Sequence, residues 1–227
     1  MTQLNSTKYP VHEGWTLGVD TSDNQGVVDF DALKTKAGVQ FAIIKATEGT
    51  GYIDPLFFQN QHRADQALEV VGSYHFFNPK FDAVGQATHY AATTEKLVKM
   101  KPVVDFETIG GVAPADAVLR LQVFINKTID LWGTPPIFYS YVYFIQMLYE
   151  AAPARMADIA THCDLWVAQY ANITAPTVPK PWLAAAAWQF DGDGGLALPN
   201  GVDADFSWFR GTLGDLKARW LRGEQCK

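Results

Sequence analysis

A rhythm limits what this chain can fold into more than any other feature. Short apolar, β-rich runs recur at residues 16–20, 39–46, 70–76, 102–106, 136–140, 165–169 and 184–190, and helical patterns separate most of the early ones. Residues 29–37 read as a short helix and 83–98 as a longer one. Asp54 followed by Pro55 supplies an N-cap and a proline at the first helical position, opening a helix to about Leu68. Val118, Leu121, Ile125 and Ile129 repeat at helical spacing between Pro114 and Gly133, the pattern of a capped amphipathic helix. Strands alternating with helices build a parallel sheet with its helices outside. In the last third the runs crowd together, and stretches 174–181 and 191–201, rich in proline and glycine, read as loops. No repeat, low-complexity tract or linker interrupts the pattern. The expectation is an N-terminal lead-in over residues 1–14 and one α/β domain over 15–227, a closed or nearly closed β/α barrel.

Composition narrows the partners. Of 227 residues, 48% are hydrophobic and 19% charged, enough apolar content for a substantial core. The 18 basic and 24 acidic residues leave a net charge of −6 without a basic stripe, which argues against nucleic acid as a partner. Cys163 and Cys226 lie too far apart in sequence to suggest a disulfide framework, and zinc needs more ligands. No run approaches the roughly 18 apolar residues of a membrane span. The N-terminus lacks a signal-peptide pattern. These features predict a monomer made in the cytoplasm, without cofactor, metal or stable membrane association.

A β/α barrel carries its active groups at the C-terminal ends of its strands. Four runs deliver polar or aromatic groups there: Asp20, then Lys45 to Glu48, then Tyr74, His75 and Phe76, then Asp105 and Glu107. The last pair is the sharpest signal. Spacing i, i+2 on a strand puts both carboxylates on one face, where like charges raise each other's pKa. A solvated acid pair at a strand end is the structural alternative, but the preceding Pro102-Val103-Val104 and the other rim acids argue for acid/base chemistry. Cleavage of a glycosidic bond uses such a pair. A separation of roughly 6.6 Å between their Cα atoms does not distinguish retaining from inverting geometry. Glu48, next to Lys45, reads as orienting substrate. Tyr74, Phe76, Tyr139, Tyr141, Trp166, Tyr170 and Trp188 lie at or near strand ends, where a sugar ring can stack. His75, beside two aromatics and without a second histidine at helical spacing, reads as a hydrogen-bonding group rather than a metal ligand. There is no GxSxG elbow for a serine triad.

In order along the chain stand Asp20 with Gln25-Gly26, Gly38, Ile43-Ile44-Lys45-Ala46-Thr47-Glu48-Gly49, Tyr52-Ile53-Asp54, Tyr74-His75-Phe76, Asp105-Phe106-Glu107, Tyr139, Leu165-Trp166-Val167-Ala168-Gln169-Tyr170, Trp188-Gln189 and Val202-Asp203. This series resembles glycoside hydrolase family 25, the Chalaropsis-type lysozymes, over about residues 17–209. The resemblance implies a flattened TIM-like barrel of (β/α)5(β)3 type. It also implies hydrolysis of the β-1,4 bond between N-acetylmuramic acid and N-acetylglucosamine in peptidoglycan; the lack of a signal-peptide pattern or a repeated wall-binding module then fits a phage endolysin released through a membrane hole, or a secretion-system effector, better than an exported autolysin. By matched position, Glu107 is the general acid, Asp105 stabilises or orients, and Asp20 and Asp203 line the same cleft. Lys45, Glu48, Tyr74, His75, Phe76, Tyr139, Trp166, Gln169, Tyr170 and Trp188 are the expected substrate contacts. Thr21 and the run Val202-Asp203-Ala204-Asp205-Phe206 depart from the family pattern, and Asp191 and Asp193 have no assured place in it. Two competing readings are a non-catalytic glycan-binding barrel and a hydrolase of another N-acetylated glycan such as chitin.

Overall fold

The computed structural model describes residues 12–197 and 203–223, with side chains for all of these except 193–197 and 203. Among the described residues nine strands form one sheet: β1 (Thr16–Thr21), β2 (Phe41–Glu48), β3 (Tyr52–Ile53), β4 (Val70–Phe76), β5 (Val103–Asp105), β6 (Ile137–Tyr141), β7 (Leu165–Ala168), β8 (Ala187–Ala197) and β9 (Asp203–Phe209). Their order is β1-β9-β8-β7-β6-β5-β4-β2-β3, and β1 also pairs with β2, so eight strands close a barrel and β3 hangs on its edge. Pairing is parallel from β1 through β2, β4, β5, β6 and β7 to β8, while β9 runs antiparallel between β8 and β1.

The helices are α1 (Phe30–Ala32), continued by a π-type turn Leu33–Ala37, α2 (Phe57–Ala67), α3 (Ala83–Thr94), α4 (Pro114–Trp132), α5 (Val142–Ala151), α6 (Pro153–His162) and α7 (Leu213–Trp220). Helical segments follow β1, β2, β4, β5 and β6, and β7, β8 and β9, with no helix between them among the described residues, complete the wall. That is the (β/α)5(β)3 arrangement. α4 starts at Pro114 and ends at Gly133, which takes the left-handed conformation (φ 68°) that a β-carbon disfavours.

The structure departs from the sequence pattern in five places. The run at 184–190 enters the sheet only at Ala187, and its strand continues through the glycine-rich stretch to Ala197 instead of ending in a loop. β9 follows as its antiparallel partner; its acids at 203 and 205 hid a strand whose alternate positions are apolar. Helices α5, α6 and α7 also escaped the pattern. The helix expected over 83–98 ends at Thr94. Asp54 does not cap α2: its carboxylate accepts from the backbone N–H groups of Asp23 and Leu56, tying the turn after β1 to the turn before α2.

The N-terminal end of the barrel is sealed by large apolar groups reaching across small ones. A β-carbon on Gly18 would lie 2.2 Å from the Phe41 ring, and one on Gly72 would lie 2.6 Å from Met100 Sδ. From outside, Trp220 of α7 packs edge-on against Phe41 and Phe209. Its indole N–H donates to Asp164, which also accepts two bonds from Arg219 at 2.9 and 2.7 Å. With one end plugged, polar inward-facing residues are left at the other.

Candidate active site

At the C-terminal ends of the strands lies a pit of about 70 Å³ lined by Asp20, Tyr74, Asp105, Glu107, Tyr139, Trp166, Gln189 and Asp205. Strand pairing explains the convergence. Asp20 is in register with Asp205 across β1 and β9, and Asp105 with Tyr139 across β5 and β6. The i, i+2 spacing holds Asp105 and Glu107 on one face although β5 itself ends at Asp105. The pit adjoins a groove of about 430 Å³ lined by Tyr139, Tyr141, Val142, Tyr143, Ala168, Gln169, Tyr170, Ala171 and again Glu107. Glu107 and Tyr139 therefore belong to both spaces.

The electrostatics follow from crowding. Burial, followed by the Glu107 carboxyl and a hydrogen bond with it, pushes Asp105 well above the usual aspartate range, while Lys45 opposes. Two carboxyls can hydrogen-bond only with a proton between them, so the crowding favours a pair that holds one. Burial, Asp205 and Glu107 likewise push Asp20 upward, opposed by a hydrogen bond from Gln189. That amide is the pit's main polar organiser. Its Nε2 donates to Asp20 Oδ2 at 2.9 Å, and its Oε1 accepts from the phenols of Tyr139 at 2.6 Å and Tyr170 at 2.5 Å. Below it, the Trp166 indole donates to Ser207 Oγ at 2.9 Å, and its ring lies 4.5 Å from that of Tyr139.

Most expected residues meet here, with some in different roles. Asp20, Asp105, Glu107, Tyr74, Tyr139 and Trp166 line the pit, although Trp166 is almost wholly buried and forms its floor. Gln169 and Tyr170 line the groove. Gln169 Oε1 is occupied by the backbone N–H of Thr177, and the Tyr170 ring is exposed. Lys45 pairs with Glu48 at 2.9 Å and lies 5.3 Å from the Phe76 ring centre and 5.5 Å from that of Tyr52, forming a charged lip beside Asp105.

Two of the expected contacts do not face the cleft. His75 alternates outward from Tyr74 and Phe76 and is fully buried under α3 and α4. It bonds Thr47 and Gln86, stacks on Phe124, and burial lowers its pKa to about 3. Trp188 alternates outward from Gln189. Its ring is buried against His12 and Phe190 and borders a separate cavity with Trp15 and Arg210. Both errors came from reading a motif as a block, when neighbours in a strand point to opposite faces. Asp203 pairs with Ala197 along the backbone, and its side chain lies outside the described residues.

Tyr141, read as a strand-end aromatic, lines the groove, whereas Asp205 and Gln189 were missed. Asp205 was legible only through β9, which places it opposite Asp20. Gln189 stood in the Trp188-Gln189 motif but was not chosen for the site. Among the described residues no group of three His, Cys, Asp or Glu is arranged to hold a metal ion, and no helix is long and apolar enough to cross a membrane.

A closed β/α barrel with a crowded carboxyl pair at its C-terminal rim and a tyrosine-lined groove beside it has the architecture of a glycoside hydrolase. Comparison with known proteins makes the assignment specific. The model of glycosyl hydrolases family 25 matches residues 19–197, and the chain belongs to that family. It is 27% identical over 216 residues to Lysozyme M1 of Streptomyces globisporus, covering 92% of this chain and 72% of that protein. It is 30% identical over 186 residues to the N,O-diacetylmuramidase of Chalaropsis sp, covering 76% and 86% respectively. Among solved structures, the bacterial lysozyme from Streptomyces coelicolor superposes with a TM-score of 0.79 at 25% identity, covering 91% of this chain and 97% of that one.

Proposed function

We propose that this protein is a muramidase that hydrolyses the β-1,4 bond between N-acetylmuramic acid and N-acetylglucosamine in peptidoglycan, with Glu107 as its general acid. One observation carries the assignment of the acid: Glu107 lines both the carboxyl pit and the open groove, while its partner Asp105 lines only the pit. A proton held by the pair thus reaches bound glycan through Glu107. Glu107 protonates the glycosidic oxygen as the bond to the anomeric carbon breaks, and the leaving sugar departs along the groove past Tyr141, Tyr143 and Tyr170. Positive charge developing on the ring is offset by the carboxylates of Asp20 and Asp205 across the pit. Asp105 lines the pit beside Glu107 and orients the reacting sugar. Water completes the hydrolysis, and the proton it gives up restores the pair. Phe76, Lys45 and Glu48 form the opposite lip. The relatives named as lysozyme and N,O-diacetylmuramidase support this substrate and, with it, action at the bacterial cell wall.

The test is Glu107→Gln, which keeps shape and removes the proton. It should abolish release of reducing ends from purified cell wall while the thermal transition survives. Undiminished release would remove Glu107 from the acid's role. Mass spectrometry of the wild-type digest should place the new reducing end on N-acetylmuramic acid; reducing N-acetylglucosamine would refute the bond assignment.

A further inference from the structure

We infer that Gln189 is a positioning residue for catalysis, its amide locked by Tyr139 and Tyr170 so that it presents an N–H donor to Asp20. The inference rests on the reading of Asp20 as a charge-offsetting carboxylate of the hydrolytic site.

An isolated glutamine amide has two orientations of similar energy, and a crystal-like geometry distinguishes them only through partners. Here the partners decide. Oε1 lies within 2.6 Å of the Tyr139 hydroxyl and 2.5 Å of the Tyr170 hydroxyl, while Nε2 lies 2.9 Å from Asp20 Oδ2. Burial raises the pKa of both phenols, so each keeps its proton and acts as donor at any working pH. The two phenol protons find their acceptor in Oε1 on one side, while the NH₂ meets the Asp20 carboxylate, which when ionised only accepts, on the other. In the reversed orientation the carbonyl would face Asp20 Oδ2, which only a protonated Asp20 could satisfy. The lock therefore favours the ionised form of Asp20, against its surroundings.

Those surroundings are adverse from nearly every side. Asp205 faces Asp20 from β9, and Asp105 and Glu107 face it from the end of β5. Tyr74 of β4 and Tyr139 of β6 complete the wall, Tyr170 enters from the segment after β7, and Lys45 of β2 acts on the Asp105 side. Gln189 is the neutral donor that opposes them. Tyr170 adds a link to substrate, because its ring is exposed in the groove while its hydroxyl reaches Gln189. Asp20 is thereby coupled to the ring that a bound sugar touches.

The experiment is the pH profile of kcat/KM on soluble peptidoglycan oligosaccharides for wild type, Gln189→Met and Gln189→Glu. Glutamate keeps acceptor oxygens for both tyrosines, so it guards against a variant that merely loses packing. The acid limb should move up by about one to two pH units in Gln189→Met, the loss expected for one hydrogen bond to a charged group. It should move further in Gln189→Glu. In an Asp20→Asn background, Gln189→Met should change the residual rate by less than about threefold, since the residue it acts through is gone. A uniform fall at every pH without movement of the limb would overturn the inference, as would a full loss that persists in the Asp20→Asn background. Glu107→Gln, assayed alongside, separates the two levels: activity in that variant sinks the reading of the site itself, whereas an inert Glu107→Gln with an unshifted Gln189→Met sinks only the role of Gln189.

Discussion

Gly192 offers a sharp test of how tightly the cleft is set. A β-carbon there would lie 2.8 Å from both Cζ and the hydroxyl oxygen of Tyr170, and 2.9 Å from Asp205 Oδ1. Ordinary contact begins near 3.6 Å, so Gly192→Ala must displace the tyrosine tip by about 0.8 Å. The hydroxyl now donates to Gln189 at 2.5 Å. A displacement of that size away from Gln189 lengthens the bond to roughly 3.3 Å, beyond the range of a good O–H donor bond. Both groups in the way are side-chain ends, not backbone, and Tyr170 is exposed, so they yield without disturbing the barrel. The stability loss should stay below about 1 kcal/mol. Activity is different, because misplacing catalytic groups by about 1 Å costs on the order of 100-fold. The assay pairs a thermal melt with initial rates of reducing-end release from cell wall. An intact melt with a rate lowered tenfold or more is the expected outcome. A wild-type rate would show that neither Tyr170 nor Asp205 needs its present position.

Asp105→Asn should eliminate most activity and stabilise the fold at neutral pH. Asp105 binds its proton more tightly folded than unfolded, so its contribution falls as pH rises from the ordinary value of 3.8 toward the raised folded value, by about 1.4 kcal/mol per unit of elevation. The gain in Tm should therefore vanish below about pH 3.5; a variant destabilised at pH 7 would contradict this. Asp164 has the opposite sign, since Arg219 and Trp220 hold its carboxyl below the usual range. Asp164→Ala should cost about 1–2 kcal/mol above pH 4, reduced by the exposure of Arg219, with the difference shrinking as pH falls through the folded value. Gly18→Ala drives a methyl into the Phe41 ring and should cost about 1–3 kcal/mol in denaturant unfolding; an unchanged midpoint would mean that the barrel end is loosely filled.

The parallel part of the fold was legible because each of its strands is a short apolar run closed by a polar or turn residue, as at residues 41–48 and 70–76. The acid pair was legible for a related reason. A buried parallel strand is otherwise apolar, so two carboxyls at the end of Val103-Val104 stand out. The antiparallel part did not announce itself. β8 carries Asp191, Gly192, Asp193, Gly194 and Gly195, and β9 carries acids at 203 and 205, a composition typical of loops. Pairing across the barrel overrides that local preference. Losing β9 meant losing Asp205, which enters the site only through its register with Asp20. His75 and Trp188 failed through parity: each is one residue away from a side chain that does face the pit.

The same parity explains how one short strand serves two purposes at once. On β4, Tyr74 and Phe76 supply the cleft while His75 between them ties the strand to α3 and α4. On β8, Gln189 organises the acids while Trp188 behind it donates to the Gln169 carbonyl and buries its ring in the wall. Gln169 in turn lines the groove. On these strands each site residue is thus held by a buried neighbour on the opposite face, whereas Glu107 and Tyr170 stand just past the ends of β5 and β7. Crowding carboxyls costs stability, and the fold offsets that cost with rigid aromatic anchors directly behind the crowded groups. A substitution at Trp188 that shrinks its ring should therefore act on Gln189 through the backbone they share, and on Asp20 through the Gln189 hydrogen bond, without touching the cleft.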